Sequence, residues 1–142
     1  MCEAILYRDP SADLRIYFKQ QGAKLPVLTK SKTVSWLSWG RRKGQMGELP
    51  MGGWARLDDI LAGRWDEYFP VPVKIPAHGF VESDFEGRSS WFNIVHGQCI
   101  QGLVAKYQKE RRLYVVTIIP KHHDAPYPRW PRITQTGMTK IE

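Results

Sequence analysis

Long hydrophobic runs are missing from this sequence, and its first residues do not form the apolar stretch of a signal peptide. Cysteine is scarce: Cys2 and Cys99 cannot form a disulfide framework, and no CxxC or similar metal-ligand spacing occurs. Disulfide-stabilised, membrane-spanning and structural zinc proteins are therefore excluded as classes. We expect a soluble, cytoplasmic, monomeric protein with no membrane partner, no metal and no cofactor.

Acidic residues are also few. Fourteen Asp and Glu face 21 Lys and Arg in 142 residues, so the net charge is +7. This balance indicates a polyanionic partner such as nucleic acid, and the 12% of aromatic residues could stack on unpaired bases. The length and the 42% hydrophobic content suit one core, so residues 1–142 are predicted to form a single domain.

The pattern of apolar residues predicts an α+β protein that is mainly antiparallel β-sheet, with one or two short helices. Helical spacing of Trp54, Leu57, Leu61 and Trp65 predicts one helix that ends before Pro70. A basic loop is expected from Gly40 to about Gly53. Short turns between the later strands imply antiparallel hairpins. Strands are predicted in the β-rich segments 33–39, 71–85, 91–95, 99–107 and 113–119.

Cys2 directly follows Met1, and removal of Met1 would leave a residue with both a free α-amine and a thiol. The ordinary pKa is about 7.7–8.0 for the amine and about 8.5 for the thiol, so both are partly nucleophilic near neutral pH. Together they could close an aldehyde into a thiazolidine ring. Alternatively, the thiolate could attack an amide with the amine as base, or Cys2 could simply pack as a small hydrophobic residue.

Five short segments, taken together with Cys2, occur in a characteristic order. They are Trp39-Gly40, Trp54-Ala55-Arg56-Leu57-Asp58, Pro76-Ala77-His78-Gly79-Phe80-Val81-Glu82, Val115-Val116-Thr117 and Arg129-Trp130-Pro131. In this order they resemble the SRAP family, the SOS-response-associated peptidases that process abasic sites. The resemblance implies a mostly β fold and a DNA-damage protein that binds single-stranded DNA. It also implies covalent capture of abasic sites, with lyase or peptidase activity as a further expectation.

Carried over to this chain, the resemblance makes Cys2 the nucleophile and Glu82 the carboxyl that transfers protons. Proton transfer is needed to form and close the imine. The family keeps a histidine shortly before its Arg-x-Pro turn. The direct match here is Tyr127, and His123, close by, is predicted to substitute for it. The alternative for Glu82 is an outward-facing residue on a half-buried strand.

The resemblance and the basic clusters also predict a DNA-binding surface. Its expected residues are Trp39, Arg41, Arg42, Trp54, Arg56 and Arg129. Arginine suits this role because its guanidinium can bind a phosphate with two hydrogen bonds. Trp39 could instead be a core aromatic, and Arg56 a solvated charge.

Besides Tyr127, the sequence departs from the family at two further points. Glu3-Ala4 replaces a Gly-Arg pair, and Trp54 replaces an asparagine before Ala-Arg. Three functions therefore stay open: covalent capture of abasic sites, DNA binding without chemistry, and an amidase or peptidase with an N-terminal cysteine nucleophile.

Overall fold

Antiparallel β-sheet dominates the part of the chain that the computed structural model describes, residues 1–120 and 127–137, which confirms the predicted fold class. In chain order the elements are β1 (Ala4–Asp9), β2 (Ala12–Tyr17), β3 (Lys24–Leu28), β4 (Val34–Ser38), β5 (Trp54–Arg56), α1 (Leu57–Leu61), a 3-10 turn (Asp66–Tyr68), β6 (Val71–Ile75), β7 (Gly79–Ser83), β8 (Ser89–Asn93), β9 (Gln98–Tyr107), β10 (Glu110–Ile118), β11 (Trp130–Pro131) and β12 (Ile133–Gln135).

The strands form three sheets. The first has the order β2-β1-β7-β8, and the third is the β3-β4 hairpin. The second is built on the long hairpin of β9 and β10, to which β11, β12, β5 and β6 add. Only β5 in this sheet pairs in parallel, with β10. The first sheet joins the N-terminal strand to a strand from the middle of the chain.

Strand β10 is hydrophobic on both faces because the second sheet is covered on both sides. Leu113 and Val115 face the larger core, while Tyr114 and Val116 face a smaller one. The smaller core is closed by α1 and by Trp65, whose ring lies 4.9 Å from that of Tyr114. Alternate residues of one strand thus serve two cores, which explains a continuous apolar run in an antiparallel sheet.

The predicted helix from Trp54 to before Pro70 is wrong at both ends, since the α-helix stops at Leu61 and Asp66–Tyr68 form a separate 3-10 turn. Residues 54–56 form β5, whose backbone pairs with β10, and only Leu57–Leu61 are α-helical. Pairing with a buried strand outweighs the local helical spacing, as tertiary contacts often do. Asp58 and Asp59 lie in the first helical turn, where negative charge is favourable.

Strands β4, β8, β9 and β10 follow predicted segments with small shifts of boundary, whereas β11 and β12 were not predicted. Segment 71–85 is the exception, because residues 76–78 interrupt it and its halves, β6 and β7, enter different sheets. Strands β1, β2 and β3 were not predicted. No helix within residues 1–120 and 127–137 has the length and apolarity to cross a membrane.

Candidate active site

Pairing of β1 with β7 brings Cys2 to Glu82. Ala4 lies opposite Val81 in this antiparallel ladder, so the residues before β1 run beside the end of β7. Ile5 and Phe80, one step along the ladder, are buried and hold the two strands together. The two predicted catalytic residues, far apart in sequence, therefore lie in one site.

Glu82 is fully buried, so the alternative of an outward-facing carboxylate is wrong. Its Oε1 lies 3.0 Å from the α-amine of Met1, which forms an ion pair with it. Burial raises the pKa of Glu82 to about 7, although the Met1 ammonium acts in the opposite direction. A carboxyl with a pKa near neutrality can both give and take a proton at physiological pH, as a general acid or base requires.

The Cys2 thiol is also completely buried. Its Sγ lies 3.6 Å from the carbonyl oxygen of Ala4, to which the S–H donates. Burial, and secondly the negative charge of Glu82, raise the pKa of this thiol well above its ordinary value. With Met1 in place, Cys2 is therefore a protonated and shielded thiol.

Trp54 holds the backbone of Cys2. Its indole Nε1 donates to the Cys2 carbonyl oxygen at 2.7 Å, and its ring packs on Phe18 with centroids 4.8 Å apart. The side chain that replaces the family's asparagine thus positions the cysteine through the main chain. Its predicted DNA contact stays a prediction, since the ring is only partly buried.

Trp39 is a core residue, and the prediction that it contacts DNA is wrong. Its side chain has no exposed surface, and its indole Nε1 donates to the Gly53 carbonyl oxygen at 3.0 Å. A base cannot stack on a ring that is packed on all sides.

Arg56 and Arg129 meet at Thr117. Arg56 is exposed and pairs with Thr117 across the β5-β10 ladder. Arg129 is 7% exposed, and its Nη2 donates to the carbonyl oxygen and to Oγ1 of Thr117 at 3.2 and 3.0 Å. Burial and the charge of Arg56 lower the pKa of Arg129, while Asp58 and, more weakly, Glu82 oppose this effect.

The predicted DNA contact of Arg129 is therefore wrong for this conformation, because its guanidinium is held inside the protein. Arg56 has an accessible side chain beside the same strand. It stays a candidate phosphate contact.

The position that the resemblance aligns with a histidine is occupied by packed aromatic rings. Tyr127 lies 5.4 Å from Phe92 and 5.3 Å from Trp130, measured between ring centroids. The predicted substitute, His123, lies outside the described residues. Among the residues that are described, no group of three or more His, Cys, Asp or Glu side chains is arranged to hold a metal ion.

Arg41 and Arg42 lie in the loop after Trp39, as predicted, and line a cleft together with Phe18 and Lys19. Sequence reasoning missed Phe18 and Lys19, because they lie far along the chain from the loop and belong to no motif. Whether the two arginines bind DNA stays a prediction.

No family model, no curated protein and no solved structure matches this chain. The SRAP resemblance therefore rests on its short segments, and the chemistry of the site rests on the arrangement of Cys2, Glu82 and Trp54.

Proposed function

We propose that the protein binds single-stranded DNA and captures abasic sites covalently through Cys2 after removal of Met1. The observation that carries this proposal is the buried Glu82, with a pKa of about 7, beside the N-terminal amine and the Cys2 thiol. We also propose that the protein is SRAP-like, monomeric and cytoplasmic.

The proposed reaction forms two bonds and releases water. The α-amine of Cys2 attacks the aldehyde of the ring-opened abasic sugar, and the aldehyde oxygen leaves as water to give an imine. The thiol sulfur then adds to the same carbon, and its proton passes to the nitrogen. Glu82 donates the proton that the departing oxygen needs and can accept one back, because burial favours the protonated form of its carboxyl.

Met1 removal is required for two reasons. It creates the amine on the residue that carries the thiol, and it removes the ammonium that now pairs with Glu82 at 3.0 Å. Trp54 keeps the Cys2 carbonyl in place while the terminus changes, through its 2.7 Å hydrogen bond.

A second candidate is DNA binding without chemistry. The complete burial of the Cys2 thiol and its raised pKa favour it, since a protonated, covered sulfur is a poor nucleophile. The same facts weigh against an amidase or peptidase, which would need a thiolate to attack an amide. Thiazolidine closure is less demanding, because the thiol attacks an activated imine at close range.

A crosslinking assay separates these candidates. Protein whose intact mass shows loss of Met1 is mixed with an abasic single-stranded oligonucleotide, and denaturing gels are examined for a slowed band. Cys2→Ser should abolish the stable band, because an imine alone hydrolyses. Cys99→Ser is the matched control, since this second buried cysteine lies in β9 and should react like wild type. No band with wild type, or an equal band with Cys2→Ser, would refute covalent capture.

A further inference from the structure

A cleft of about 730 Å³ lies beside the loop that follows Trp39. Glycines allow the loop to fold back on itself: Gly40 has φ +58°, and a Cβ there would collide with the carbonyl oxygen of Gly52. Arg41 is fixed at this crossing by two backbone hydrogen bonds with Gly52, of 3.0 and 2.7 Å. The backbone of the loop is therefore held in place at Arg41.

The lining of the cleft is positive and includes no acidic residue. Its residues are Phe18, Lys19, Gln21, Arg41, Arg42, Lys43, Gly44, Gln45, Met51 and Gly52. The nearby carboxylate of Glu110 is already engaged, by Arg112 at 2.7 Å and by the backbone N–H groups of Glu48 and Leu49. In residues 1–120 and 127–137, neither Arg41 nor Arg42 forms a salt bridge.

The two arginines differ in how firmly they are held. Arg42 donates from Nε to the Phe18 carbonyl oxygen at 2.6 Å, and its guanidinium lies 4.5 Å from the centre of the Phe18 ring. For Arg41, both Nε and Nη1 are buried without a hydrogen-bond partner among the described residues, whereas for Arg42 only Nη2 is in this position. Unpaired buried donors are unfavourable, and charged ones more so. Because Arg41 lines the cleft, an anion bound there would offer these donors the acceptors that they lack.

We propose that this cleft binds a phosphate group of a single-stranded nucleic acid, with Arg41 and Lys19 as the binding side chains and Arg42 as a wall fixed by Phe18. The inference rests on the proposed function for the choice of ligand, because an abasic strand must be held by its backbone. A phosphate provides the several acceptor oxygens that the guanidinium of Arg41 needs.

The side chain of Phe18 links the cleft to the Cys2 site. The Phe18 ring that supports Arg42 also packs on Trp54, whose indole holds the Cys2 carbonyl. The backbone N–H of Phe18 also donates to the Glu3 carbonyl oxygen at 2.9 Å. A nucleic-acid strand bound in the cleft would thus lie next to Phe18, which packs on the tryptophan that holds the backbone of Cys2.

The test measures binding of an undamaged single-stranded oligonucleotide to Cys2→Ser protein, so that no crosslink contributes. Arg41→Gln should weaken binding about tenfold or more at low salt, the usual effect of losing a hydrogen bond between charged groups. It should also reduce the slope of log affinity against log salt by about 0.7, the value for one phosphate on a single strand. Lys19→Gln should flatten the slope similarly.

Arg111→Gln is the matched control, because Arg111 is exposed on β10 and does not line the cleft. An equal loss of affinity in Arg41→Gln and Arg111→Gln would mean that only net charge matters and would overturn the site. Unchanged affinity in Arg41→Gln, or no binding by the parent protein, would overturn it as well. Thermal unfolding of each variant shows that a loss of binding is not a loss of folding.

Inorganic phosphate distinguishes the source of the ligand. If millimolar phosphate stabilises wild type but not Arg41→Gln, while oligonucleotide affinity is the same for both, the cleft holds a free anion and the strand proposal is wrong. If Arg41→Gln weakens binding and yet no wild-type crosslink forms, the phosphate site stands and covalent capture fails. The two proposals are thus refuted by different results.

Discussion

Glutamine in place of Glu82 tests the buried carboxyl through the pH dependence of folding. The pKa of Glu82 rises from its ordinary 4.5 to about 7, mainly because burial disfavours the charged form. The folded state therefore binds this proton more tightly than the unfolded state. The resulting stability is fully present below pH 4.5 and is lost as the pH rises through 7.

The magnitude follows from the pKa difference. One pKa unit corresponds to about 1.4 kcal/mol, so ionisation of Glu82 should lower the free energy of unfolding by about 3 kcal/mol between pH 4.5 and 8. Glu82→Gln keeps the shape of the side chain but cannot titrate. Over this pH range the free energy of unfolding should therefore fall less in the variant than in wild type, and the difference between the two falls should be about 3 kcal/mol.

Urea unfolding at several pH values between 4.5 and 8 measures this difference. Any constant offset from the amide cancels, because only the change with pH is compared. Glu86→Gln is the control: Glu86 is exposed and pairs with the exposed Arg88, so this variant should follow wild type. Parallel curves for wild type and Glu82→Gln would show that the carboxyl does not titrate near neutrality. It would then be a poor candidate for proton transfer.

The same variant and two others give further predictions. Glu82→Gln should slow crosslinking roughly a hundredfold with little change in DNA binding, and equal rates with Cys2 still required would remove Glu82 from the mechanism. Trp54→Phe keeps a ring but loses the hydrogen bond to the Cys2 carbonyl, so urea unfolding should show a loss of about 1 kcal/mol; unchanged stability would mean that this bond contributes nothing. Gly40→Ala should cost about 2 kcal/mol or more, because a positive φ and a collision with the backbone combine. At Gly44 φ is also positive, but an added Cβ would meet open space, so Gly44→Ala should cost less. An equal loss of stability in the two variants would contradict this account.

The sequence by itself determined the fold class and most of the later strands. Strands β8, β9 and β10 could be predicted because β-rich segments bounded by turn residues are local signals. The acidic start of α1 was visible for the same reason. That Cys2 and Glu82 would lie in one site was expected only from the resemblance to a family. No local signal joins residues so far apart.

Only the tertiary structure decided which side chains are inside. Trp39 and Arg129 were both predicted to contact DNA, yet both are buried: Trp39 packs on the rings of Phe18 and Trp54, and Arg129 donates to Thr117 of β10. Residues 54–56 form a strand because β10 offers a parallel partner, which local spacing cannot reveal. Strand β2 was missed although its apolar residues Ala12, Leu14 and Ile16 alternate with polar ones; Ile16 is buried, whereas residues 12–15 are exposed. The pKa of Glu82 likewise depends on burial, which arises only when distant strands meet.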